Sequence, residues 1–150
     1  MGKNDASLST LWNRLLSVSE LKQDIRFGQH QASGEGEVVV SYTDQQIIWA
    51  EKGTWIPPNG TSIPFTNSYY WLKLKDGNLE VGHLRLGPEN PVKLVELVPT
   101  EDPNEWKSVS PHLCGEDLYV AEVTLLAGKL LLFWDIQGPG KKQELRYTYY

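Results

Sequence analysis

The chain predicts an all-β fold with one N-terminal helix, an antiparallel up-and-down barrel of about eight strands. Three observations carry that expectation. Short β-type runs recur at regular intervals from Glu37 to the C-terminus. Tight turns join them, Asp76-Gly77 being the strongest two-residue hairpin signal. Nothing between the runs resembles the helical crossover of about a dozen residues that parallel pairing requires. Sequential hairpins in that number close into a barrel, which removes exposed strand edges; a β-sandwich is the alternative architecture.

The elements follow in order. Leu8, Leu11, Trp12, Leu15 and Leu16 recur at helical spacing and define one apolar stripe, so the helix covers about residues 7–17. Ser7, Ser9 and Thr10 are its candidate N-caps. Gly28 to Gly36 reads as a polar connector. Strands follow at Glu37 to Thr43, Gln46 to Lys52, Tyr69 to Lys75, Asn78 to Leu86 and Val92 to Val98. Leu118 to Leu126 and Lys129 to Gln137 flank Ala127-Gly128, and Gln143 to Tyr150 closes the chain. Two stretches interrupt this meander. Trp55 to Pro64 contains three prolines, which remove donors and fix φ, and reads as a lid or mouth loop. Pro99 to Ser110 is a second long connection.

At 150 residues the chain is expected to form a single domain, 1–150, that buries roughly two thirds of its unfolded surface. Fourteen Lys and Arg against nineteen Asp and Glu give a net charge of −5 and no basic run, which argues against nucleic acid as a partner. A single cysteine excludes an internal disulfide and fits a reducing, cytoplasmic location. The Met1–Ser7 start lacks an apolar run of signal-peptide length, and Leu130 to Trp134 is too short to span a bilayer. The expected oligomeric state is monomer or homodimer.

Large rings crowd the strands. Trp49, Trp71, Tyr119, Trp134 and Tyr147 are candidates to line a ligand cavity, with His83 beside them, unless these rings simply fill the core. Glu51, Glu122, Asp135, Glu144 and Arg146 alternate with apolar neighbours, and most should face water. An inward Arg146 would need Asp117 or a ligand carboxylate as partner, making it the candidate anchor.

His112, Cys114 and Asp117 lie within a few residues of one another. His112 and Cys114 have strand parity, so a thiolate beside an imidazole could form a nucleophile pair. Cys114-Gly115-Glu116-Asp117 nevertheless has the composition of a turn, and no oxyanion-hole element accompanies it. As metal ligands the three lack the paired spacings of zinc sites. The favoured reading is structural, with Asp117 accepting backbone amides at the turn and Cys114 a small buried hydrophobe. Gly138-Pro139-Gly140-Lys141 is followed by a strand, so it is hairpin chemistry and not a phosphate loop.

The order His112-x-Cys114-x-x-Asp117-x-Tyr119, a hairpin ending in Trp134, Gly138-Pro139-x-Lys141 and the tyrosine-rich final strand resembles an uncharacterised family of small domains (domain of unknown function 6314). Gly36-Glu-Val-Val-Val, Ile48-Trp-Ala-Glu51-Lys-Gly53, Tyr69-Tyr-Trp71 and Leu79-Glu-Val-Gly-His83 also fit its pattern. The chain departs from that pattern at Phe27-Gly28-Gln29-His30 and at Tyr150. The resemblance implies a calycin-like barrel, related in shape to lipocalins and fatty-acid-binding proteins, with a ligand pocket and no established activity. The leading functional expectation is therefore a non-enzymatic barrel binding a small apolar or amphipathic molecule, fatty acid-like or tetrapyrrole-like. No cofactor is expected beyond such a bound lipid or other apolar ligand. The alternatives are a lyase-like or thiol-dependent enzyme using His112, Cys114 and Asp117, and a protein–protein adaptor presenting Trp55 and Trp106.

Overall fold

The computed structural model describes residues 3–150, with side chains from Ser7 onward. Met1 and Gly2, at the start weighed above for a targeting signal, lie outside the described residues. Helix α1 (Lys3–Ser17) is followed by strands β1 (Glu20–Phe27), β2 (His30–Tyr42), β3 (Gln46–Ile56), β4 (Ile63–Lys73), β5 (Leu79–His83) and β6 (Val92–Pro99). Next come β7 (Glu105–Ser108), β8 (His112–Cys114), β9 (Asp117–Leu126), β10 (Lys129–Gly138) and β11 (Lys141–Tyr149). Each of β1 to β7 pairs with its neighbour in sequence, β7 pairs with β9, β9 with β10 and β10 with β11. Antiparallel pairing of β11 with β1, from Leu21 opposite Tyr149 to Phe27 opposite Gln143, then closes the ring. The result is an antiparallel barrel, as expected, but of ten strands and not about eight; β8 stands outside the ring and pairs only with the first residues of β9.

The extra strands come from segments with a weak apolar signal. The supposed connector 28–36 is the middle of a hairpin, β1 and β2 turning at Gly28-Gln29 with Gly28 at φ 63°. β1 alternates Leu21, Gln23 and Ile25 with charged residues, and these face Gly36, Gly34 and Ala32 across the ladder. Large residues on one strand and almost none on the next fill the same layer, so β2 shows little hydrophobicity there. The long connection 99–110 likewise contains β7, whose Trp106 is fully buried. The proline-rich stretch is shorter than expected, because Trp55 and Ile56 end β3 while Ile63 and Pro64 begin β4.

The helix closes one end of the barrel. It begins at Lys3, so Ser7, Ser9 and Thr10 lie inside it and are not its caps. Leu11 and Leu15 are fully buried, and Trp12 is nearly so. Trp49 Nε1 donates to the Leu15 carbonyl at 2.9 Å, satisfying one of the acceptors that a helix C-terminus leaves open. Arg14 Nη1 donates to the carbonyls of Leu126 and Lys129, each at 2.7 Å, tying the helix to the β9–β10 hairpin. Lys73 Nζ sits 4.3 Å from the centre of the Trp12 ring.

The two C-terminal sequence motifs form one latch at the opposite end. Lys141 Nζ donates to Asp117 Oδ2 at 2.9 Å, and Asp117 packs so closely over Gly138 that a Cβ there would collide with Oδ1. Asp117 is thus held by Lys141 and not by Arg146. Two expectations follow. Leu15→Ala should lower the unfolding free energy by about 3 kcal/mol, the usual loss for a buried leucine, measured by urea denaturation. Gly138→Ala should cost about 1–3 kcal/mol because Asp117 must move, whereas Lys141→Ala, which removes only a partly exposed ion pair, should cost under about 1 kcal/mol.

Candidate functional site at the open end of the barrel

β3 places Ile47, Trp49, Glu51 and Trp55 on its inward face, and β4 does the same with Phe65, Asn67, Tyr69 and Trp71. From β11 come Leu145, Tyr147 and Tyr149, and from β1 Leu21, Gln23 and Ile25. The half nearer the helix is solid. Trp49 and Trp71 are fully buried, their rings 5.0 Å apart, and Tyr149 packs 4.4 Å from Trp49. Trp134 and Tyr119 meet edge to face at 6.1 Å. Trp49, Trp71 and Trp134 are therefore core residues.

Above that floor the interior becomes polar. Glu51 is only 1% exposed, and its Oε2 accepts a 2.7 Å hydrogen bond from the Tyr149 hydroxyl. Among the described residues, Oε1 is buried with no hydrogen-bond partner. Burial raises the Glu51 pKa from its ordinary 4.5 to about 7, offset in part by Tyr149 and Asn67. Tyr69 is pushed up to about 12, first by burial and then by the Glu51 charge, with Arg85 opposing. Tyr147 and Tyr149 are raised well above the usual phenol range, again chiefly by burial. The three phenols therefore stay neutral, and Glu51 is the interior group that titrates near neutrality.

Over this cluster opens a cavity of about 330 Å³ lined by Gln23, Ile25, Phe27, Trp55, Phe65, Asn67, Gln143, Leu145 and Tyr147. Two larger depressions, about 1040 and 570 Å³, lie on the outer surface, across β1–β4 and across β9–β11 with β1. Exposed charged side chains such as Glu20, Glu35, Glu37 and Lys52 rim the first.

Of the residues expected from sequence, the structure brings only Tyr147 into the cavity wall. His83 is half-buried near the open end, its Nδ1 accepting the Arg85 amide at 3.2 Å; burial and then Arg85 lower its pKa. Arg146 is not an interior anchor. It is exposed on the outer face, 5.4 Å from the Phe133 ring, because alternation along β11 turns Leu145 and Tyr147 inward and Arg146 outward. On β8, His112 and Cys114 share a face opposite the exposed Leu113, and Cys114 packs partly buried against the core, near enough to raise the Tyr119 pKa after burial has done so. Asp117 lies opposite Cys114 in the β8–β9 ladder and is engaged by Lys141, and no cluster of His, Cys, Asp or Glu among the described residues is placed to hold a metal ion. Trp106 is wholly buried, which removes it from any adaptor surface.

Glu51 was the member of the charged set to turn inward. It shares one strand parity with Ile47 and Trp49, both fully buried, and the burial of that face carries Glu51 inside.

The molecule is thus a closed antiparallel β-barrel, plugged at one end by a helix and carrying a buried acid–phenol cluster beneath an aromatic-rimmed cavity. Residues 17–150 match the Family of unknown function (DUF6314), and the chain belongs to that family. None of the curated proteins matches it. No helix among the described residues is long and apolar enough to cross a membrane.

The raised Glu51 pKa has a sign that can be checked. Between pH 4.5 and about 7 the folded state holds a proton that the unfolded state has released, so this group's contribution to stability falls as pH rises through that window. Relative to Glu51→Gln, the wild type should lose stability on the order of 3 kcal/mol between pH 4.5 and 8, read as the pH dependence of the difference in urea unfolding free energies. A difference independent of pH would show that Glu51 titrates as an ordinary carboxylate.

Proposed function

We propose that this barrel binds a small apolar or amphipathic molecule through its open end, without catalysing a reaction on it. The carrying observation is the asymmetry of the interior: packed rings fill the helix end, while the other end holds a cavity walled by Ile25, Phe27, Trp55, Phe65 and Leu145. A concave, largely apolar wall with a few polar groups at its base is the usual form of a small-molecule site. At about 330 Å³ the volume lies at the lower end of the range for such sites, which favours a compact or slim ligand over the broad disc of a tetrapyrrole. The calycin-like relationship implied by the sequence motifs agrees with this use of a barrel interior. The thiol alternative has little support, because Cys114 packs into the core edge on β8, away from the cavity wall.

Filling the cavity tests the proposal. Wild-type protein should bind a neutral naphthalene fluorophore with an emission blue shift, and Leu145→Trp should weaken that binding about tenfold or more while circular dichroism stays unchanged. Native mass spectrometry of protein purified from its own host should show a retained small molecule. Equal dye affinity in wild type and Leu145→Trp would count decisively against the interior as the site.

A further inference from the structure

We infer that Glu51 is the head-group receptor of this cavity and that its ligand is a small, ring-bearing apolar molecule whose polar end donates hydrogen bonds, as a protonated amine or ring N–H does. The inference rests on the reading that the cavity takes a ligand, and it specifies the chemistry of that ligand.

Three features support it. The first is the under-used acceptor: Glu51 is 1% exposed, Tyr149 satisfies Oε2, and Oε1 makes no well-formed hydrogen bond among the described residues, the Asn67 amide in the cavity wall being the other side chain that favours its charged form. A buried carboxyl oxygen left unpaired costs free energy that a donor arriving from the cavity would recover. The second is the approach. Asn67, in the cavity wall, lies directly across the ladder from Glu51. Trp55, also in the wall, shares the Glu51 face of β3, but Gly53 between them is packed against the β2 backbone at Glu35 and Gly36, so the route to Glu51 runs past Asn67 on the β4 side.

The third is charge. The groups that act on Glu51 or face it across the ladders are Tyr149 and Tyr147 from β11, Tyr69 and Asn67 from β4, and Val38 on β2. All are neutral. Arg85, the cation near this cluster, reaches in from the open end to hydrogen-bond Tyr69 and also acts on Tyr147, but it is not among the groups that shift Glu51. An anionic head would meet the Glu51 carboxyl with no buried cation to offset it. A cationic or N–H head would instead make a charge-assisted hydrogen bond in a low-dielectric wall. The walls suit a ring-bearing body, since Phe27, Trp55, Phe65 and Tyr147 present aromatic faces.

Three probes of nearly one shape separate the outcomes: naphthylmethylamine, naphthoate and methylnaphthalene, titrated by calorimetry at pH 8 into wild type and Glu51→Gln. The amine should bind wild type roughly tenfold or more tighter than either analogue, the usual worth of one hydrogen bond to a charged group. In Glu51→Gln that preference should vanish while methylnaphthalene affinity is retained. If the variant does not fold, wild type alone decides: the amine preference should grow between pH 6 and 8 as Glu51 ionises. His83, another group near the open end, has its pKa lowered by burial and then by Arg85, the opposite direction to Glu51. Equal affinities for the three probes, or tightest binding of naphthoate, would overturn the inference and leave the cavity as a binding site. Failure of all three to bind would overturn the binding function itself, and this inference with it.

Discussion

A carboxyl group inside a barrel has few ways to be tolerated, and here the closing strand supplies one. Tyr149 lies 98 residues beyond Glu51 and reaches it only because β11 pairs with β1 in the register that sets Tyr149 opposite Leu21. A slip of one residue would turn Tyr149 outward and Thr148 inward, removing the Tyr149 donor from Glu51 and the Tyr149 ring from Trp49. Hydrophobic alternation favours closure, and the Glu51–Tyr149 bond rewards one closure over its neighbours. Buried polar pairs contribute little net stability, yet they penalise wrong arrangements heavily.

The packing around that bond divides the barrel in two. Toward the helix every inward position holds a large side chain, and α1 covers the end so that Leu11 and Leu15 complete the core. Toward the open end β2 contributes Ala32, Gly34 and Gly36, and the space beside the two glycines is taken up by Gln23, Trp55 and the β3 backbone. The cavity is walled instead by β1, β3, β4 and β11, from Gln23, Ile25 and Phe27 to Leu145 and Tyr147. Ten strands also enclose a wider interior than about eight would, because barrel diameter grows with strand number.

The legible part of the fold was the part with loud alternation. Leu130, Leu132, Trp134 and Ile136 proved to be the buried face of β10, and Ala127-Gly128 is the expected two-residue turn, while Asp76-Gly77 turns the chain within a longer connection between Lys73 and Leu79. The strand carrying Gly34 and Gly36 was silent, because its inward positions are occupied by residues that bury little of themselves. β7 was silent for another reason: a four-residue strand with one buried tryptophan has no period to detect. The site suffered from the same limit. Arg146 and Glu51 both alternate with apolar neighbours, and parity alone does not say which face of a strand is inside. The closing pair decides it, through a contact between residues far apart in the chain.

The motif that stands out most in the sequence, from His112 to Tyr119, also finds its place through such contacts. Asp117 is fixed by Lys141 from the next turn but one and by the bare backbone of Gly138, so residues from two separate motifs meet at a single point. That point anchors the start of β9 to the β10–β11 turn beside the open end, where β8 adds the ladder's last rungs. A mouth framed by six hairpin or loop ends would otherwise fray, since short terminal rungs have few neighbours. Cross-bracing there holds the rim in shape while the interior below stays partly empty. Asp117 in this motif thus serves the architecture of the rim through Lys141 and Gly138, while the buried acid, Glu51, stands among ordinary strand residues.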